Sequence, residues 1–163
     1  MTMGTLNMVA EAVSGTLVGA DCSFDSVSTD TRSLARGQLC FALRGERFDA
    51  ATFVADAERR GAAGAVVERH QAVDLPQVEV ADTQIALGAL ARAWRARFDM
   101  PVIAVTGSNG KTTVKEMIAA VLRHHFGGAD STLATTGNLN NEIGLPLTVL
   151  RMRAAHAAAV LEM

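Results

Sequence analysis

A chain of 163 residues, 49% apolar and 20% charged, has the makeup of an ordinary soluble globular protein and is long enough for one domain or two small ones. A formal net charge of −2 excludes a broad polyanion-binding face, so neither nucleic acid nor an anionic membrane is an expected partner and phosphate recognition has to be local. No apolar run approaches the ~18 residues of a membrane span, and the first basic residue is Arg32, which leaves no charged start for a signal peptide; a cytoplasmic protein is expected.

In chain order, Thr5 to Val13 predicts a short helix, with Leu6, Val9 and Val13 near helical spacing and Gly15 as its stop. Leu17-Val18 reads as a small strand, and Val27 to Arg32 as a β-compatible run entering a polar turn. Leu39 to Leu43 is an apolar run of strand length, Ala51 to Arg60 a helix capped by Gly61, and Ala65 to Val67 a further strand. Strand, helix and strand over this distance predict a βαβ-type unit, with Val78 to Val80 as its last strand.

A domain boundary is placed at Ala81-Asp82-Thr83. Beyond it, Leu87, Leu90, Ala91, Trp94 and Phe98 fall on one face of a helix over Thr83 to Phe98, and Trp94 is read as packing. Val102 to Val105 is a strand, and a helix starting at Lys111 carries a stripe of Val114, Met117, Ile118, Val121 and Leu122 expected to pack on the sheet. Ser131 to Thr135 follows as a strand, Gly137 to Asn141 as a polar loop, Leu145 to Leu150 as a helix with Pro146 near its start, and Ala157 to Leu161 as a buried strand ending on Glu162.

Cys22 and Cys40 lack Cys-x-x-Cys spacing and are read as reduced core residues. His70, His124, His125 and His156 show no metal-ligand spacing.

The chemistry concentrates in Pro101 to Thr113, PVIAVTGSNGKTT. A strand delivers the chain to a sheet edge, Gly107 and Gly110 let the backbone curl so that amides converge, and a helix N-terminus adds partial positive charge. Gly107, Ser108, Asn109, Gly110, Lys111, Thr112 and Thr113 thus read as a triphosphate cradle, with Lys111 reaching the terminal phosphates and the Thr112 hydroxyl holding Mg²⁺. The general pattern G-x-x-x-x-G-K-[ST] wants glycine where Val105 stands, so the match is incomplete.

Two further features belong to this picture. Glu162 ends a buried strand one βα unit after the loop, a place suited to a second ligand for that Mg²⁺; position alone equally fits an exposed glutamate. Thr135 to Glu142 is dense in hydroxyls and amides, which serve turns and caps or offer neutral partners to a sugar, an amide or a phosphate.

TGSNGKTT followed by VKEM, then GNLNNEIGLPLTVL, resembles the Mur ligase family of peptidoglycan synthesis, most closely its MurF type; STDTR and FALRGERFDA resemble that type's first domain. The likeness runs from about Val27 to Met163, and Val105 in place of glycine is usual in the family. It implies an α/β fold in which residues 1–82 form a small mixed UDP-muramyl-binding domain and 83–163 begin a phosphate-loop, parallel-sheet ATP-binding domain.

The resemblance implies ATP and Mg²⁺ as cofactors, Lys111 as the catalytic cation, and Thr112 and Glu162 as metal ligands. It puts Thr29, Thr31, Glu46, Arg47 and Phe48 at the UDP end of the substrate, and Thr135, Thr136, Asn138 and Asn141 at its muramyl group and phosphates. Ala51 departs from the family, which often has histidine there. The implied reaction joins D-alanyl-D-alanine to UDP-N-acetylmuramoyl-tripeptide. Relatives continue through further domains, so this chain is expected to be an N-terminal piece, inactive alone and prone to self-association where the full enzyme is monomeric. MurE-type and folylpolyglutamate ligases are alternatives within the class. The former do not usually show the Asn-Leu-Asn-Asn run, and the latter lack the UDP-binding domain. A nucleotide or UDP-sugar binding module without ligase activity is the alternative outside it.

Overall fold

The computed structural model describes residues 2–44 and 50–163. It divides into two compact units, Met1–Leu90 and Ala91–Met163. Glu46, Arg47 and Phe48 lie outside the described residues.

The first unit holds β1 (Gly4–Thr5), α1 (Leu6–Val13), β2 (Thr16–Val18), β3 (Ser23–Phe24), β4 (Val27–Ser28), β5 (Leu39–Phe41), α2 (Ala50–Arg59), β6 (Gly64–Val67) and β7 (Gln77–Glu79). Among the described residues, five strands form one sheet in the order β2-β7-β6-β5-β4, parallel except for β2 against β7. The expected strand–helix–strand unit is β5, α2 and β6, with Cys40 opposite Ala65.

Alternation along the strands sends Cys40, Ala65 and Val67 to one face, where they pack with Val54 and Ala57 of α2. Leu39, Phe41 and Val66 are equally buried, so both faces of the sheet are covered and the strands read as continuous apolar runs. On β6, a Cβ at Gly64 would come within 2.8 Å of the Leu6 side chain, so glycine here lets α1 approach the sheet. Thr5 caps α1, its hydroxyl accepting from the Met8 amide. The helix stops one residue before the expected glycine: Ser14 takes the left-handed conformation at φ 54°, and its amide bonds back to the last turn.

A long helix, α3 (Thr83–Arg95), contains the division between the units. It ends three residues short of the expected Phe98, passing into tighter turns in which the amides of Arg97 and Phe98 donate to the carbonyls of Trp94 and Arg95, while the Arg95 guanidinium reaches forward to the carbonyls of Phe98 and Met100. Trp94 is packing, as its spacing indicated: it is 7% exposed, its Nε1–H donates to the Met152 carbonyl at 3.1 Å, and Arg97 lies over its ring.

The second unit carries β8 (Val102–Val105), α4 (Lys111–His125), β9 (Thr132–Ala134), α5 (Gly144–Val149) and β10 (Ala158–Glu162). Its three described strands are parallel in the order β8-β10-β9, so the last strand inserts between the first two. The carboxyl ends of all three therefore share one rim, with Glu162 beside Val105 and the Thr135 amide bonded to the Val160 carbonyl.

The apolar stripe expected to hold α4 on the sheet is only half right. Ile118 and Leu122 pack with Ala119 against Val105, Ala134 and Val160. Val114, Met117 and Val121 are 46%, 64% and 68% exposed. The seat on the sheet runs through positions 115, 118, 119 and 122, and a buried lysine, Lys115, occupies its first place. Reading only apolar side chains rotated the expected face towards solvent.

Candidate functional site

β8 ends at Val105 and the chain enters an exposed loop, Thr106 to Gly110. Gly107 at φ 148° and Gly110 at φ 74° take conformations that side chains disfavour, and Gly110 sits directly before the first turn of α4. The first amide of the helical ladder is that of Val114, donated to the Gly110 carbonyl. The amides of Lys111, Thr112 and Thr113 thus precede the ladder. Among the described residues, none of the Gly107 to Gly110 amides donates to a backbone carbonyl. A row of unspent donors at the positive end of a 15-residue helix is a cradle for an anion.

Lys111 folds across this loop, its Nζ 2.9 Å from the Gly107 carbonyl, so the ammonium stays at the loop rather than in the core. Ser108, Asn109, Thr112 and Thr113 are exposed on the same stretch. The Thr112 hydroxyl donates to Glu162, its Oγ1 standing 3.2 Å from Oε1 and 3.0 Å from Oε2. Glu162 is 4% exposed. Its Oε1 also accepts from the Asn140 amide at 3.0 Å, and its own N–H donates to Thr135 Oγ1 at 2.9 Å.

This oxygen pair fits a small hard cation. Mg²⁺ bound at about 2.1 Å needs neighbouring oxygens roughly 3 Å apart, as the hydroxyl and carboxylate already are. Among the described residues no group of three His, Cys, Asp or Glu side chains could hold a metal. A cation here would take its remaining ligands from phosphate and water, which is the usual habit of Mg²⁺.

The polar segment divides by role. Thr135 is 1% exposed and belongs to the rim. Thr136 is exposed and accepts from Arg151 at 3.2 Å; Asn138 is exposed in the turn that follows. Asn141 Oδ1 accepts from the amides of Ile143 and Gly144, so it shapes the entry to α5. Thr29 and Thr31 lie in the first unit, Thr31 opening a short 3-10 turn through Ser33. There Asp30 accepts from the Arg32 amide and guanidinium, and those bonds bring its carboxyl down to about 2.

Sequence reasoning missed three residues. Asn140 stood inside the amide-rich stretch but without its role, since its partner lies 22 residues away, and Arg151, whose partner lies 15 residues away, had no local signal. Lys115 had one: it follows Lys111 by a helical turn and stands on the same face as Ala119 and Leu122. Its Nζ donates to the Thr135 carbonyl at 2.7 Å and pairs with Glu116 at 2.8 Å, which holds the Glu116 carboxyl below the usual carboxylate range.

Comparison with known proteins bears on this geometry. Residues 105–163 match the model of the Mur ligase middle domain. The UDP-N-acetylmuramoyl-tripeptide–D-alanyl-D-alanine ligase of Escherichia coli K12 is 46% identical over 159 residues, 98% of this chain and 34% of that protein. A crystal structure of MurF from Acinetobacter baumannii superposes with a TM-score of 0.87 at 37% identity, covering 100% of this chain and 36% of the other. A MurF ligase from Thermotoga maritima, solved in complex with ADP, gives 0.72 at 34% identity over 85% of this chain and 31% of that one. The chain spans about a third of the length of the curated relatives it matches.

Proposed function

We propose that this chain is of the Mur ligase family, MurF type, and that it supplies the nucleotide-handling rim of an ATP-dependent ligase joining D-alanyl-D-alanine to UDP-N-acetylmuramoyl-tripeptide in the cytoplasm. The observation that carries this reading is the rim itself: an open row of amides, a lysine lying over it, and a hydroxyl set against a buried carboxylate. Activation of the peptide carboxylate takes the γ-phosphoryl group of ATP and releases ADP. The amine of D-alanyl-D-alanine then displaces phosphate, and the amide forms.

Each residue has a physical task. The amides from Gly107 to Thr113, with the dipole of α4, hold the phosphates. Lys111 leaves the Gly107 carbonyl for the γ-phosphate, offsetting the repulsion between two anions brought together. Thr112 and Glu162 would hold Mg²⁺, whose charge, when it is bound, would neutralise that of the phosphates. Thr135, Thr136, Asn138 and Asn141 face or shape the path of the muramyl group and the phosphates. Thr29 and Thr31, with Glu46, Arg47 and Phe48, take the UDP end. Residues 1–82 accordingly act as the substrate domain and 83–163 as the start of the ATP domain. Val114, Met117 and Val121, exposed along α4, support self-association of this stretch on its own, which a concentration-dependent sedimentation coefficient would reveal.

Calorimetric titration of the chain with ADP tests the reading. Binding that strengthens with Mg²⁺ and disappears in Lys111→Ala is expected; a wild-type chain indifferent to ADP at millimolar concentration would overturn it. Titration with UDP-N-acetylmuramoyl-tripeptide without ATP should give binding that weakens in Thr31→Val.

A further inference from the structure

Lys115 is the one large charged side chain on the sheet-facing side of α4, and it is 1% exposed. Lysine is rarely buried unless something holds its charge. Its Glu116 partner lies on the surface with its side chain 54% exposed, so that pair alone gives no reason to place the ammonium inside. The inward partner is the Thr135 carbonyl.

Thr135 is held by all of its polar groups. Its N–H donates to the Val160 carbonyl, its hydroxyl accepts from the Glu162 amide, and its carbonyl accepts from Lys115. Lys115 therefore fastens α4, the helix bearing Lys111 and Thr112, to the residue just after β9; that residue in turn grips the backbone of Glu162 at the end of β10. The two oxygens suited to a cation come from α4 and β10, and nothing covalent sets their separation for 50 residues of chain.

We propose that Lys115 is a positioning residue for the metal–nucleotide rim: its buried ammonium fixes Thr135, and through Thr135 it keeps the Glu162 carboxylate at cation-binding distance from the Thr112 hydroxyl. This rests on the nucleotide reading above and adds to it a residue that touches neither phosphate nor metal. Groups of this kind, one shell behind metal ligands, typically account for ~10–100-fold in metal affinity.

The test compares ADP affinity of the full chain with Mg²⁺ and with EDTA, alongside circular dichroism. In Lys115→Met the Mg²⁺-dependent gain should shrink about tenfold while metal-free ADP affinity stays within about twofold, and Lys115→Arg should recover part of the gain. Glu116→Gln removes the surface pair but leaves the Thr135 bond, and should match wild type. Should Lys115→Met not fold, Lys115→Gln, which is shorter and brings no ammonium to the Thr135 carbonyl, should show the same loss, and full retention of the gain in it would overturn the proposal. A wild-type chain with no Mg²⁺-dependent gain overturns the nucleotide reading and this proposal together. A wild-type gain retained in Lys115→Met, or lost equally in Glu116→Gln, overturns this proposal alone.

Discussion

Thr112 and Glu162, 50 residues apart in the chain, meet with Oγ1 3.0 Å from Oε2 at the common end of α4 and β10. Neither residue is unusual by itself. Threonine in the first turn of a helix and glutamate at the end of a strand each satisfy ordinary backbone needs. Their meeting is what makes a cation corner, because parallel strand order brings the end of β10 beside the loop that follows β8.

Glu162→Gln keeps the shape of the side chain and removes its charge. We expect the Mg²⁺-dependent part of ADP binding to fall about tenfold or more, with the melting temperature little changed. Calorimetry with and without EDTA separates the two effects. Equal affinities in both proteins would show that Glu162 holds no metal.

Gly144 and Gly110 are both glycines at helix starts, yet their replacement by alanine should differ. A Cβ at Gly144 would sit 2.4 Å from Leu139 Cα and 2.6 Å from its carbonyl carbon, so the backbone of the polar loop must shift. At Gly110 nothing lies within 4 Å and only the φ of 74° resists. Gly110→Ala should cost ~1–2 kcal/mol in urea unfolding, and Gly144→Ala ~1–3 kcal/mol or more. Gly144→Ala should also disturb the Asn140 contact with Glu162, which ADP titration would register.

Burial pushes the Cys40 thiol up to about 12, and it is 0% exposed, whereas Cys22 is half-buried. A maleimide at pH 7.5 should add once to the native chain, at Cys22, and twice after denaturation. Rapid native double labelling, read by intact mass, would contradict the packing of Cys40 between β4 and β6.

Asp30 titrates at about 2 rather than 3.8, first because the Arg32 side chain bonds to it and second because the Arg32 amide does. A depressed folded value means the stabilisation is present above 3.8 and is lost as pH falls through about 2. The pair is largely exposed, so the effect on stability is small and weakens with salt. Carboxyl NMR should find the low value in wild type and a return towards 3.8 in Arg32→Ala.

Much of this molecule is written in short-range pattern. The glycine loop between β8 and α4, the βαβ order of β5, α2 and β6, and the packing of Trp94 all follow from spacing within a few residues, where backbone sterics and helical or strand period decide the outcome. The termini were less legible: Ser14 rather than Gly15 takes the left-handed position after α1, and α3 passes into tighter turns after Arg95, each through short-range backbone bonds that replace the helical ladder.

What the sequence by itself determined is therefore the longer elements, though not the short β1–β3 pair, and the chemical kind of the loop at Gly107 to Lys111. Which face of α4 meets the sheet was a matter for the tertiary structure. Pattern puts Val114, Met117 and Val121 beside Ile118 and Leu122, but the contacts with the sheet keep only the last two and add Lys115 and Ala119. The same holds for the rim, where Asn140, Thr135 and Lys115 acquire meaning only beside Glu162. The reason is physical: a helix reports its own period in sequence, whereas the partner of a buried charge is chosen by strand order, and strand order leaves no trace in spacing.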